Sequence, residues 1–158
     1  MDQTVSLRPL EDDDLDAVFE QMRDPESVRM AAFTSADPDD RVAFDARMER
    51  LRSSAEVLFR VIEAGGDVVG TIGAFGAPGE TELTYWIDRR YWGQGVASAA
   101  LAALLGELTV RPLHARTASD NVGSIRVLEK HGFRAVGTDR GFAAGRDEGV
   151  DETIFILE

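Results

Sequence analysis

The sequence has no cysteine and only two histidines, His114 and His131. Without thiols, neither disulfides nor thiolate chemistry is available. With two imidazoles 17 positions apart, a histidine-rich metal site is not expected, and we expect no metal. No window approaches the ~20 apolar residues that cross a bilayer, and the N-terminus lacks a basic, then apolar, then small-residue signal. Positive charge is scarce: 17 lysines and arginines face 29 acids, leaving a net charge of −12. That balance disfavours nucleic acid and anionic membrane as partners. The chain reads as soluble and cytoplasmic. It shows no repeat, low-complexity tract or linker, so residues 1–158 are expected to form one domain, as monomer or homodimer.

What is present alternates between strand and helix signals. "TVSLRPL" reads as a first strand ending near Pro9. "EDDDLDAVFEQM" opens with acids and continues with Leu15, Val18, Phe19 and Met22 at helical spacing. A second helix is expected after "SADPDD", with Phe44, Met48, Leu51 and Ala55 on one face. Two apolar runs joined by Gly65-Gly66-Asp67 predict a hairpin. "TELTYWID" continues as a strand, with Glu82, Thr84 and Trp86 on one face and Leu83, Tyr85 and Ile87 on the other. An alanine- and leucine-rich helix begins after Gly95, carrying Ala97, Leu101, Leu104, Leu105 and Leu108 on one stripe. "PLHARTA" reads as a strand, "NVGSIRVLEKHG" as a helix closed by Gly132, and two strands finish the chain. The pattern predicts an α/β (α+β) domain: a single sheet, helices on both faces, and a hairpin-like end.

Gly93 and Gly95 stand between a strand and a helix, where glycine is costly unless its backbone is needed. The first turn of a helix offers unpaired N–H groups and the positive end of its dipole. Glycine lets a bulky anion approach them, so this is a sensible phosphate cradle; a tight turn would select glycine too. The Walker pattern fails, because Val96-Ala97 stands where Lys-Ser/Thr is needed. A dinucleotide fold fails on position, since this loop follows four strands.

Taken together, "RYWGQGVA" (90–97), the strand "ELTYWID" before it and "ASDNVGSIRVLEKHGFRAVG" after it resemble the GNAT N-acetyltransferase superfamily, in its ribosomal-protein alanine N-acetyltransferase-like (RimJ/RimL-like) branch. "SLRPLEDDDLDAV" resembles the usual opening. One departure stands out: Thr84 occupies a place where the branch commonly has glycine.

The resemblance implies a mixed, mostly antiparallel seven-stranded sheet splayed between its fourth and fifth strands, with acetyl-CoA as cosubstrate wedged there. It implies pantetheine contacts at Trp86, Ile87 and Asn121, and diphosphate on the amides of Trp92, Gly93, Gln94, Gly95, Val96 and Ala97. Arg90 belongs to the same motif and can offset phosphate charge. Glu82 matches the glutamate that serves as general base in some members, and Ser124 matches a serine near the cofactor sulfur. Glu82 also reads as an exposed strand carboxylate, Ser124 as a helix serine bonded to its own backbone, and Tyr85 and Trp92 as packing groups. The expected reaction is transfer of an acetyl group to a primary amine, a protein N-terminus or a small molecule. The competing reading is a coenzyme A-binding sensor or scaffold with little turnover.

Overall fold

The computed structural model describes residues 4–158. In chain order the elements are β1 (Val5–Arg8), α1 (Leu15–Arg23), α2 (Pro25–Ala31), α3 (Arg41–Ser53), β2 (Leu58–Ala64), β3 (Asp67–Phe75) and β4 (Glu82–Ile87). There follow α4 (Val96–Glu107), β5 (Leu113–Ala118), α5 (Val122–Lys130), β6 (Arg134–Ala143) and β7 (Glu148–Leu157). Short 3-10 turns precede α1 (Asp12–Asp14) and α4 (Arg89–Tyr91).

The seven strands form one sheet in the order β1-β2-β3-β4-β5-β7-β6. Gly65 and Gly66, both at positive φ, close the β2–β3 hairpin. Every neighbouring pair is antiparallel except β4–β5, which is parallel and pairs only at Glu82–His114 and Leu83–Ala115. β5 is bound to β7 along its whole length, from Leu113 to Ala118. Beyond Leu83 the two parallel strands therefore part, and the expected splay is present.

Side-chain alternation along the strands gives each face its own core. Ile62, Ile72, Leu83 and Ile87 pack with Val96, Ala100, Leu101 and Leu104 of α4 and Leu128 of α5. On the opposite face Phe59 and Val61 pack with Val18 and Phe19 of α1 and Phe44 and Met48 of α3. Helices on both faces follow from the two apolar sets. The predicted α3 stripe holds through Leu51, but the helix ends at Ser53 and Ala55 lies outside it.

Helix α2 has no counterpart in the sequence reading. Its seven residues are too few to display periodicity, yet its start is encoded: Asp24 accepts from Ser27 N, and Pro25 sits at the first helical position. Among the described residues, no helix is long and apolar enough to cross a membrane.

Candidate active site

Helices α2, α3 and α5 each begin with a side chain, Asp24, Asp40 or Asn121, accepting from a backbone N–H of the first turn. Helix α4 does not. Its N-cap is Gly95, in the left-handed conformation at φ 78, with no side-chain cap. Gly93 is also left-handed, at φ 74, and a Cβ at either glycine would meet no atom within 4 Å. Among the described residues, the N–H groups from Gly93 through Ser98 have no acceptor, the first paired amide being Ala99, which donates to Gly95 O. A row of bare donors thus faces open space at the positive end of a helix, with the clearance an anion would need.

These amides border a cavity of about 470 Å³ in the gap between β4 and β5. Its walls include Trp86, Ile87, Trp92, Gly93, Gly95, Val96, Ala97, Asn121 and Ser124, and thus most of the residues expected there. Ladder alternation defines what β4 offers. Asp88 N donates to Val69 O, so by the two-residue period Trp86 and Thr84 turn their backbone groups to β3. Tyr85 and Ile87 turn theirs toward the gap that β5 has vacated. Trp92, whose side chain was expected to pack, donates its indole Nε1–H to Ile87 O at 2.9 Å and is itself partly exposed. This leaves Ile87 N–H directed into the gap.

A second difference concerns Tyr85. Its side chain crosses from β4 to α5, where Oη lies 2.5 Å from Ser124 Oγ. Ser124 Oγ is thus engaged with the phenol rather than with its own helix backbone, while its N–H is capped by Asn121 Oδ1 at 3.2 Å. Burial raises the Tyr85 pKa, against the lowering effect of the Ser124 hydrogen bond, so the phenol keeps its proton at neutral pH. The pair is separated by 39 positions, and no periodicity in either segment signals it.

A larger cavity, of about 540 Å³, lies on the other face of β4. Met22 of α1, residues of α3, the 33–40 segment and Thr84 enclose it, and Tyr85 and Trp86 line both cavities. The Trp86 indole is fixed by donating to Gln21 O at 3.0 Å. Thr84 projects into this second cavity, so the departure from glycine falls on the side away from the bare amides.

Three expected residues stand apart from the cavity walls. Glu82 lies where β4 and β5 still pair, on the same face as Thr84, with Arg116 Nε 3.9 Å away. Arg116 is held more closely by Glu152, at 3.0 Å, leaving Glu82 only loosely engaged. Arg90 projects into solvent and pairs with Asp88 at 2.7 Å. Burial raises the Asp88 carboxyl, but Arg90 and its backbone N–H outweigh that and hold it below its ordinary value. Gln94 donates to Arg90 O at 3.1 Å and does not border the cavity. The turn between the last two strands packs on the end of α2, through Gly145 N–H to Ala32 O at 2.8 Å.

A sheet opened along one parallel pair, with bare amides at one end and free strand groups along its edge, suits a long amide-bearing thioester with a diphosphate terminus. The class it defines is that of acetyl-CoA-dependent acyltransferases. Residues 4–134 match the acetyltransferase (GNAT) domain, and the chain belongs to that family. It is 24% identical over 163 residues to the uncharacterized N-acetyltransferase p20 of Bacillus licheniformis, covering 97% of this chain and 92% of that protein. Its fold matches Mycobacterium smegmatis RimJ, solved in complex with CoA-disulfide, at TM-score 0.81 and 24% identity over 97% of this chain and 81% of that one. It also matches a phosphinothricin acetyltransferase from Sinorhizobium meliloti, solved with acetyl-CoA, at TM-score 0.82 and 20% identity over 99% and 88% of the two chains.

Proposed function

We propose that the protein transfers the acetyl group of acetyl-CoA to a primary amine by direct attack of the amine on the thioester. The observation that carries this reading is the row of unpartnered amides from Gly93 to Ser98 beside the β4–β5 gap. The cosubstrate supplies an activated acyl carbon; the chain's residues orient the partners and move protons.

The amides take the diphosphate, with Gly93 and Gly95 allowing its close approach. Tyr85 presents backbone groups along which the pantetheine arm pairs as an added strand, Ile87 O being already taken by the Trp92 indole. Asn121 borders the same path, and Trp86 forms the wall between the two sides. Arg90, already paired with Asp88, contributes only long-range positive charge.

The acceptor enters from the cavity that Thr84 borders. An alkyl ammonium has a pKa near 10, so a proton must leave before attack. Glu82 accepts it through water, since it faces the acceptor side of β4 without bordering the cavity. The C–N bond then forms, the nitrogen gives up its second proton to solvent, and the C–S bond breaks. Ile87 N–H is directed to where negative charge grows on the carbonyl oxygen. The departing sulfur takes a proton from the Tyr85–Ser124 pair, and solvent restores it. Tyr85 thereby joins Ser124 as an acid.

Calorimetry with coenzyme A, followed by thiol release from acetyl-CoA across an amine panel, tests the reading. Binding with amine-dependent thiol release is expected. Binding without turnover on any amine would favour a sensor, and no binding would overturn the proposal.

A further inference from the structure

Helix α3 carries four arginines, and of the two that line the cavity without an acid partner among the described residues, Arg50 is exposed whereas Arg47 is half-buried. Arg41 pairs with Asp45 at 2.8 Å, and Arg52 with Glu49 at 2.9 Å. Arg47 has Phe44 and Arg50 three positions away and Ala43 and Leu51 four away, so its own helix supplies no carboxylate. Nor does any other element: among the described residues no carboxylate oxygen lies within 4.0 Å, and its one hydrogen-bond partner is Met22 Sδ, at 3.4 Å. The guanidinium is half-buried and lines the cavity on the acceptor face of β4.

A guanidinium withdrawn from water without an acid is an unfavourable arrangement, and it is relieved when an anion arrives. Burial, and secondarily the neighbouring Arg50, depress its pKa; both effects register an uncompensated positive charge. The acids that border the same cavity do not compensate it. Asp40 spends its carboxylate capping Ala43 N–H at 3.0 Å, Asp37 accepts from Asp39 N–H at 3.1 Å, and both are exposed at the rim. Across the cavity stand Thr84, Tyr85 and Trp86, and the last two also border the proposed thioester side.

Resting on the acetyltransferase reading above, we infer that Arg47 anchors an anionic group of the acceptor, so that the substrate is a small amine bearing a carboxylate or a phosphorus oxyanion. The planar guanidinium fork matches either group through two parallel hydrogen bonds. A cavity of about 540 Å³ suits a small molecule held by a few polar groups. With its anion on α3, such a molecule reaches β4 with its amine foremost, at the wall shared with the cleft.

Direct binding separates this inference from the reading it rests on. Free amino acids, their carboxamides, aminoalkylphosphonates and short peptides are titrated into wild type, Arg47→Lys and Arg47→Met, with coenzyme A titrated in parallel. In wild type the acid or phosphonate should bind at least tenfold more tightly than the matched amide, and whichever of the two binds names the anion. Arg47→Met should erase that ratio, a loss of about 10- to 100-fold for a charged hydrogen bond. Arg47→Lys, which keeps the charge without the fork, should fall between and guards against a folding defect. Where turnover is measurable, the ratio should fall in KM rather than kcat. Equal binding of acid and amide in wild type, equal weakening of both by Arg47→Met, preference for peptides, or no binding by any panel member each overturns it. Failure of coenzyme A to bind would count against the acetyltransferase reading alone.

Discussion

Tyr85 Oη and Ser124 Oγ lie 2.5 Å apart, joining β4 to α5 across the gap where the two parallel strands separate. The bond makes one proton-bearing unit of two side chains that the sequence presents separately. Tyr85→Phe should therefore lower kcat about 10²-fold, the lower end of what a positioned acid contributes. Coenzyme A affinity should move far less. Ser124→Ala should cost less, and the double variant little more than Tyr85→Phe alone, because members of one unit are not additive. Additive losses in single-turnover rates would mean that the hydroxyls act independently.

Glu82 sits on the same face of β4 as Thr84, yet away from the cavity wall. If it takes the amine proton through water, Glu82→Gln should reduce kcat/KM by about 10²–10⁴-fold while coenzyme A binds as before. The loss should shrink at high pH, where the free amine is already abundant. A profile parallel to wild type from pH 6 to 10 would remove the role.

The elements nearest the cleft were legible because short-range rules decide them. Gly65-Gly66 fixed a hairpin, the alternation in 82–87 fixed which side chains share a face, and Gly93 and Gly95 marked a helix start without a side-chain cap. Helix α2 was not legible from periodicity, although Asp24-Pro25 carried a cap signal. The Tyr85–Ser124 bond and the isolation of Arg47 depend on what the fold brings near, or fails to bring near, from distant segments. No local pattern reports such juxtapositions. Arg90 illustrates the converse: its motif position suggested phosphate, but Asp88, two residues earlier, already holds it.

Gly95 combines a left-handed backbone with open space where a Cβ would project. Gly95→Ala should cost about 1 kcal/mol of stability from backbone strain. If the diphosphate occupies that space, coenzyme A affinity should fall at least tenfold as well. A thermal melt and a calorimetric titration separate the two effects, and a stability loss with unaltered affinity would show that the glycine serves the turn alone.

Asp14 is buried and accepts from Arg8 at 2.7 and 2.8 Å and from Glu11 N–H at 2.8 Å, tying β1 to the start of α1. The Arg8 hydrogen bonds lower its pKa, overcoming the opposing effect of burial. Protons then bind the unfolded carboxylate more readily, near pH 3.9, so its stabilisation is full above that value. It is lost as pH falls through the lower folded value. Asp14→Asn should cost about 2 kcal/mol at pH 7, and the difference from wild type should narrow below pH 4, as read in denaturant melts.

Two glycine-to-alanine substitutions should have opposite signs, and the contrast isolates what holds α2 against the cleft. At Gly145, in the β6–β7 turn, a Cβ would stand 2.4 Å from Val28 O and 2.9 Å from Ala32 O, both backbone atoms at the end of α2. Beside it Arg146 donates to Arg29 O at 2.7 Å and pairs with Asp120, which borders the cleft along with Ser27, Met30 and Ala31. Gly145→Ala must push this turn off α2, costing about 1–3 kcal/mol as overpacking does. It should also weaken coenzyme A, because part of the cleft wall moves. At Gly106, near the exposed end of α4, a Cβ meets nothing within 4 Å, and Gly106→Ala should stabilise by up to about 1 kcal/mol through helix propensity, leaving affinity alone. If Gly145→Ala destabilises while coenzyme A binds as tightly as to wild type, α2 is packing for the fold and not a wall that the cosubstrate touches.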